Sequence, residues 1–536
     1  MKNNYILFLL LCAFSVSTFA QTPSIKWWYN TNDAAFGNAA SADFDNDGKL
    51  EVVFGCYRND SSVHALNAEN GTLLWKYNTA PNGFEGCNDV APIIYDVDGS
   101  STLEVIVPSS CNPKTFCFNG NNGTVKWVCN TKGSDSPPTI ADIDGDGKPE
   151  ILHGEFGGFV ICINAEDGTK AWEIAVDSNS WVQTAPTVLD LNGDSILDFV
   201  VGTWNFNYND SIVAFRGDNQ TRLWSFAVND HMYHGTAVAD FDLDGKPELV
   251  VGSYNDTLYC INGEDGTIDW KYRGTGGFAG TPASIGDIDN DGNCDIVFVN
   301  GFKVTALNNN GTFKWDYTIP NGRTAFRGVV LADITNDQYK DVIFGTSNGE
   351  LTALHGNNGN VIWNMNLRAH YGDNRYEIDH APLVADFDGD DTLDVFIAGG
   401  HAEYPNFFND FGRAYLISTG SKGNGPDWLM FQRDARRQSS FCSSMLNSIA
   451  ETSANQEAAT VFPNPASNNI TISFNESEKA KNITIYNTNG KMVFSQNNVK
   501  TNQLNVQLHN WQNGMYFYQI QNSDEKVVSG KFIVQQ

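Results

Sequence analysis

From Ser24 to Ser418 the chain is a succession of short alternating apolar and polar runs, punctuated by Gly, Asn and Asp turns. The runs recur as one unit. An apolar segment such as APIIYD leads into an acidic loop. A β-branched run follows: EVVFG, EVIVP, EILHG, DFVVG, ELVVG, DIVFV, DVIFG or DVFIAG. A third strand (SSVHALN, FVICIN, TLYCING, ELTALHG) ends in a turn such as NAENG or NGEDG. The unit closes on a strand carrying Trp75, Trp127, Trp172, Trp224, Trp270, Trp315 or Trp363. Helical periodicity is absent. Four short strands joined by hairpin turns make one propeller blade.

The acidic loops open at Asp43, Asp96, Asp142, Asp190, Asp240, Asp287, Asp333 and Asp386, a spacing of 46 to 53 residues. A strand-rich period of that length means a propeller or an array. Seven Trp strands accompany eight loops, and the start of the mature chain explains the shortfall. SIKWWYNT matches LLWKYNT of the first unit, so Trp27 or Trp28 supplies the last strand of an eighth blade whose other strands lie near residues 381 to 418. Such sharing closes the ring and removes an open sheet edge. The expected fold is all-β: an eight-bladed propeller over 21–441, a linker over 442–460 and a small β-sandwich over 461–536. A seven-bladed ring with one irregular unit is the alternative. Asp427 to Gln438 is expected to pack on the closure.

Each loop offers oxygen at positions one, three, five and nine. The first has Asp43, Asp45, Asp47 and Glu51; the second Asp96, Asp98, Ser100 and Glu104; the third Asp142, Asp144, Asp146 and Glu150. The fourth has Asp190, Asn192, Asp194 and Asp198; the fifth Asp240, Asp242, Asp244 and Glu248; the sixth Asp287, Asp289, Asp291 and Asp295. The seventh has Asp333, Asp337 and Asp341, with Thr335 at position three; the eighth has Asp386, Asp388, Asp390 and Asp394. Hard oxygen donors suit Ca²⁺. An EF-hand needs flanking helices and a Glu at position twelve, but position twelve of the first loop is Phe54, inside a β-branched run. Gly48, Gly147, Gly245 and Gly292 permit the sharp turn. Up to eight structural Ca²⁺ ions are expected. Asn192 and Ser100 weaken their loops, and the seventh loop is the weakest or empty.

Charge follows from this pattern. The chain has 63 acidic and 33 basic residues, a net −30, and 29 of the acids stand at these loop positions. So acidic a balance argues against nucleic acid and anionic membrane as partners. Residues 1–20 read as a secretory signal, with Lys2, an apolar run and a small-residue end at Ala20. No later run is as long, so an exported chain without a transmembrane segment is expected. Nine cysteines follow the signal; Cys117 and Cys129 flank a hairpin turn and could pair.

If the acidic loops join strands one and two, the other face carries the connections between strands two and three and between blades. That face is rich in rings and polar groups suited to glycan or peptide recognition. The candidate ligand residues are Trp181, Trp204, Tyr208, Tyr233, His234, Arg327, Tyr376, His380, His401 and Tyr404, with Phe36, Phe84, Phe206, Phe278, Phe326, Phe407 and Phe408 nearby. No G-x-S-x-G, H-E-x-x-H or phosphate loop is present, so no catalytic residue is assigned.

The D-x-D-x-D-G loops followed by apolar strands resemble FG-GAP or VCBS-type repeat propellers, the group that includes the integrin α-chain head. The G-x-x-x-W turn-and-strand element resembles quinoprotein propellers, whose Trp residues dock neighbouring blades. That family typically has a vicinal Cys-Cys disulfide, which is missing here. These resemblances imply a calcium-binding binding or adhesion module, the alternative being a polysaccharide-acting or quinoprotein-like enzyme. The tail, with FPNPAS at Phe462 to Ser467, IYNTNGK at Ile485 to Lys491 and NGMYFYQI at Asn513 to Ile520, resembles the type A C-terminal sorting domain of the type IX secretion system. It implies that secretion machinery as partner, and a secreted or surface-held propeller. The propeller's own ligand is left open among glycan, peptide and surface protein.

Overall fold

The computed structural model describes residues 22–80, 86–279, 282–378, 380–403, 406 and 409–422, and in the tail 459–462, 466–474, 480–487, 492–497, 499, 503–508, 511, 514–522 and 527–534. The expected leader, Phe84, Tyr404, Phe407, Phe408 and the segment 427–438 lie outside the described residues. The chain divides into two compact units, residues 1–443 and 444–536.

In the first unit the described residues form eight four-stranded antiparallel sheets of consecutive strands. Sheet one comprises Ala40–Ala42, Glu51–Gly55, Ser62–Asn67 and Thr72–Asn78. Sheets two to seven repeat it, opening at Ile93, Thr139, Thr187, Ala237, Ser284 and Val330. Sheet eight takes Leu383–Ala385, Asp394–His401 and Phe411–Ser418, and its outer strand is Ser24–Thr31 from the start of the chain. The expected sharing of one blade by the two ends is therefore what forms. Val52 and Phe54 of sheet one pack with Phe396 and Leu416 of sheet eight, so the sheets close on themselves. The second strands of sheets one to seven are buried along their whole length, as a strand covered on both faces must be.

Tryptophan joins the sheets. Trp75 donates its indole N–H to the Gly120 carbonyl of sheet two at 2.6 Å. Trp27, Trp127, Trp224 and Trp315 make the same bond at 2.6–2.8 Å to Ala68, Ala165, Gly263 and Gly356 of the next sheet. Each ring lies on a turn glycine of that sheet, for example Gly123 under Trp75, at φ 66°. A Cβ on Gly123 would stand 2.6 Å from the indole, so the turn needs glycine for space as well as conformation. Trp363 faces sheet eight, which has no such turn because its fourth strand comes from the other end of the chain. Its buried indole N–H has no hydrogen-bond partner among the described residues.

A disulfide joins Cys87 to Cys111, with Cα atoms 5.1 Å apart, whereas Cys117 and Cys129 are buried free thiols. Register is the reason. Cys129 stands opposite Thr115, and Cys117 opposite Trp127. The two cysteines are diagonal neighbours, beyond disulfide reach.

The second unit has a three-stranded sheet (Ala459–Phe462, Asn469–Phe474, Gln503–Gln507) and a four-stranded one (Ala480–Asn487, Met492–Asn497, Gly514–Asn522, Val527–Val534). Ile470, Ile472, Ile483, Ile485 and Ile520 share one core, the sandwich that the alternating pattern predicts.

Candidate functional site

All eight acidic loops join the first strand of a sheet to the second, so they lie on one face. Their internal geometry is the same throughout. The first Asp accepts, through Oδ2, the backbone N–H of loop position six at 2.8–3.2 Å in every copy. Position six has positive φ in every copy: Gly48, Gly147, Gly245 and Gly292, but also Ser101, Ser195, Gln338 and Asp391. The closed loop thus forces a left-handed residue even where no glycine announces it.

The position-nine carboxylates are 0–2% exposed. In seven of the loops that carboxylate accepts the backbone N–H of position two, as Glu51 does from Phe44 at 2.7 Å. Burial, reinforced by the neighbouring Asp charges, pushes Glu51, Glu150 and Glu248 up to about 7. Asp341 rises to about 8 from the same causes. Such a pocket calls for a cation. The donors are all oxygen, and carboxylate oxygens of Asp43, Asp45 and Glu51, or of Asp240, Asp242 and Glu248, lie within 4.8 Å of one another. Two oxygens on one Ca²⁺ at about 2.4 Å cannot be further apart than that. Asp240, 3% exposed, leaves Oδ1 without a hydrogen-bond partner, as does the buried Asp198. The residues fit a hard divalent cation.

One buried cluster is already neutralised. Asp60 accepts from His64 Nε2 at 2.8 Å, Lys76 Nζ at 3.0 Å and the Asn32 N–H at 3.1 Å, beside Cys56. Lys76 supplies the positive charge, so this group is an internal ion pair.

The opposite face is irregular. Ser180–Trp181 and Trp204–Asn205 pair as a two-residue ribbon outside sheet four. Trp204 stacks on His231 at 4.1 Å between ring centroids, and Tyr208 stacks on the same imidazole at 4.9 Å. The rings continue through Tyr254, 5.3 Å from Trp204, to Phe278 at 5.4 Å, and on to Phe326 and Tyr233 at 5.7 Å steps. Tyr208 and Phe206 are 61% and 55% exposed. Trp181 packs edge-on against Phe206. His231 and Tyr254 are not among the sequence candidates: His231 stands two residues before Tyr233, and Tyr254 lies in the connection between strands two and three of sheet five, and only the fold stacks both around Trp204.

Three candidate ligand residues are not surface groups. Tyr376 is fully buried and donates to the Arg413 carbonyl at 2.8 Å. His380 is 4% exposed, and its two ring nitrogens face the Ala398 and Ala381 carbonyls, of which the neutral ring donates to one. His234 is 2% exposed. Tyr376 and His380 fill core beneath the connections and meet backbone carbonyls there, while His234 packs against Tyr233 and Phe326. His401 is half-buried, its ring 5.7 Å from Phe411. Arg327 reaches from the connection between sheets six and seven to the Asp89 carbonyl, between sheets one and two, at 2.9 Å. Asp135, which accepts from Gln183 Nε2 at 3.1 Å, lies in the same central group. Burial and the nearby Asp89 charge raise it to about 7.

Comparison with known proteins bears on both units. Residues 460–535 match the secretion system C-terminal sorting domain. Residues 142–201 match the FG-GAP-like repeat, and 208–409 the outer membrane protein assembly factor BamB model. The chain is 24% identical over 256 residues to the rhamnogalacturonan endolyase YesW of Bacillus subtilis (strain 168), covering 42% of this chain and 38% of that protein. It is 25% identical over 268 residues to the outer membrane protein assembly factor BamB of Yersinia pestis, covering 42% and 63%. The chain thus spans less than two thirds of the length of either relative. In fold it is similar to the quinohemoprotein alcohol dehydrogenase of Comamonas testosteroni, with TM-score 0.52, 13% identity and coverage of 76% and 78%. It is also similar to the V. cholerae biofilm matrix protein Bap1, with TM-score 0.51, 16% identity and coverage of 77% and 94%. No described helix is long and apolar enough to cross a membrane. The chain is a β-propeller carrying a type IX secretion sorting domain, exported to the cell surface or beyond it.

Proposed function

We propose that the protein is a calcium-stabilised propeller that binds a glycan, a peptide or a surface protein on the face opposite its acidic loops. The observation that carries this reading is the continuous run of rings from Tyr208 through His231, Trp204 and Tyr254 to Phe326, open to solvent at Tyr208. Aromatic faces beside polar groups give contact area with little entropy to lose. Calcium belongs to the other face, where fully ligated loops leave no position for a ligand and the ion is structural. Screening the exported chain against glycans and surface proteins, with and without Ca²⁺, tests the reading. Trp204→Ala should abolish binding of any hit and leave the melting curve in place; retained binding would move the site elsewhere.

A second reading is cleavage of a polysaccharide. The central group of Asp89, Asp135 and Arg327 favours it, since a carboxyl raised to about 7 beside a guanidinium can exchange a proton near neutral pH. The partial likeness to a rhamnogalacturonan endolyase points the same way. Incubation with a panel of pectic polysaccharides, followed for new reducing ends or unsaturated products, separates the two readings. Absence of any product on a substrate the protein binds would dismiss the second.

A further inference from the structure

The fourth strand of every sheet carries a β-bulge at one and the same place, the residue just before the docking tryptophan. In sheet one Trp75 faces Ala65 and Leu73 faces Leu66, so Leu74 is left over. The same slip leaves over Lys126 in sheet two, Lys314 in sheet six and Lys26 in sheet eight. A bulge re-aims its side chain out of the ladder. In all three lysine sheets it aims the ammonium into the acidic loop of its own sheet, at the same two ligand positions. Lys126 Nζ lies 2.6 Å from Asp98 and 2.9 Å from Glu104. Lys314 lies 2.6 Å from both Asp289 and Asp295. Lys26 lies 2.7 Å from Asp388 and 2.8 Å from Asp394. These are positions three and nine, which a divalent ion would have to bridge.

In sheets one, three and five the bulge residue is Leu74, Ala171 or Asp269, none of which brings a positive charge. The fifth loop instead gains a further carboxylate, Asp269, beside Asp242. That loop holds the buried Asp240 Oδ1 without a hydrogen-bond partner, but loops six and eight also leave Asp289 Oδ1 and Asp394 Oδ1 without one, so the ammonium contact and not the orphan oxygen separates the two classes.

We propose that the bulge residue decides which loops take a divalent cation: in loops two, six and eight the lysine ammonium occupies positions three and nine in place of a metal ion, while loops one, three and five are the cation sites. The proposal rests on the calcium reading given above. Loops four and seven have uncharged bulge residues, Leu223 and Ile362, but weaker donor sets. Arg216 pairs with Asp194 in loop four, and Thr335 takes the place of an acid in loop seven.

Native mass spectrometry of the exported chain in Ca²⁺ counts the ions directly. The wild-type protein should hold three to five. The triple variant Lys26→Leu, Lys126→Leu, Lys314→Leu should hold two or three more. Six or more ions on the wild-type chain, or a gain of one or none in the variant, overturns the lysine rule and leaves the calcium reading standing. No ion on either chain overturns both. Should the triple variant fail to fold, Leu74→Lys decides: loss of one ion supports the rule, and an unchanged count refutes it.

Discussion

On the loop-bearing face every sheet presents the same parts: a closed acidic loop, a bulged fourth strand and, in most sheets, a tryptophan on the next sheet's turn. On the opposite face the described connections vary in length and sequence, and the rings that gather there come from sheets four to seven. The contrast teaches how repeat proteins divide labour. A feature copied eight times must satisfy what every blade needs, namely closure of a loop and docking to a neighbour. A feature present once is free to meet a ligand. The sheet architecture between the faces is common to both.

Measurements on each face test that contrast. If the loops are structural, chelation should act on stability first. Each loop filled at a hundredfold excess over Kd contributes about 2.7 kcal/mol, so several filled loops together exceed any single substitution. A melting temperature unmoved by chelator would remove the loops from the stability account. Next comes the docking contact: Trp315→Ala should cost about 3–5 kcal/mol in chemical unfolding, through the lost ring and the Gly356 carbonyl left unpaired. A loss below about 1 kcal/mol would show that sheet contacts alone hold the ring.

The faces should also answer pH in opposite directions. In metal-free protein Glu51, Glu150 and Glu248 stay protonated to about 7, above their ordinary value near 4.5. The folded state then binds more protons than the unfolded one across that window, so stability falls as pH rises from 4.5 towards 7. Saturating Ca²⁺ should abolish this slope, and a slope that persists would contradict it. His380, on the other face, is held neutral by burial down to about 4. Its contribution is complete above 6.5 and is lost as pH falls towards 4, whether or not Ca²⁺ is present. The smallest effect on stability belongs to Tyr208→Ala, within about 0.5 kcal/mol because the ring is largely exposed. The same change should weaken ligand binding about tenfold or more. A binding curve that overlays the wild type would detach Tyr208 from the site.

Legibility differed between the faces for the same reason. The loop register, the second strands and the tryptophan strands could be read because each depends on residues close in sequence and is written many times. Trp27 as part of the closing strand was legible by comparison with its copies. Ser101 and Gln338 in left-handed conformation were not, since the loop's hydrogen bonds impose what their side chains do not favour. Nor was the burial of Tyr376, His380 and His234, whose residue types belong equally to a surface and to a satisfied core.

The all-β repeat, the shared eighth sheet, the oxygen-rich loops and the sorting tail follow from local periodicity and motif alone. Packing in three dimensions is what brings Cys87 to Cys111, sets His231 between Trp204 and Tyr208, and turns three lysines inward onto their own loops. Those outcomes depend on ring closure and on a one-residue slip of register, which redirect side chains without changing the pattern of apolar and polar positions.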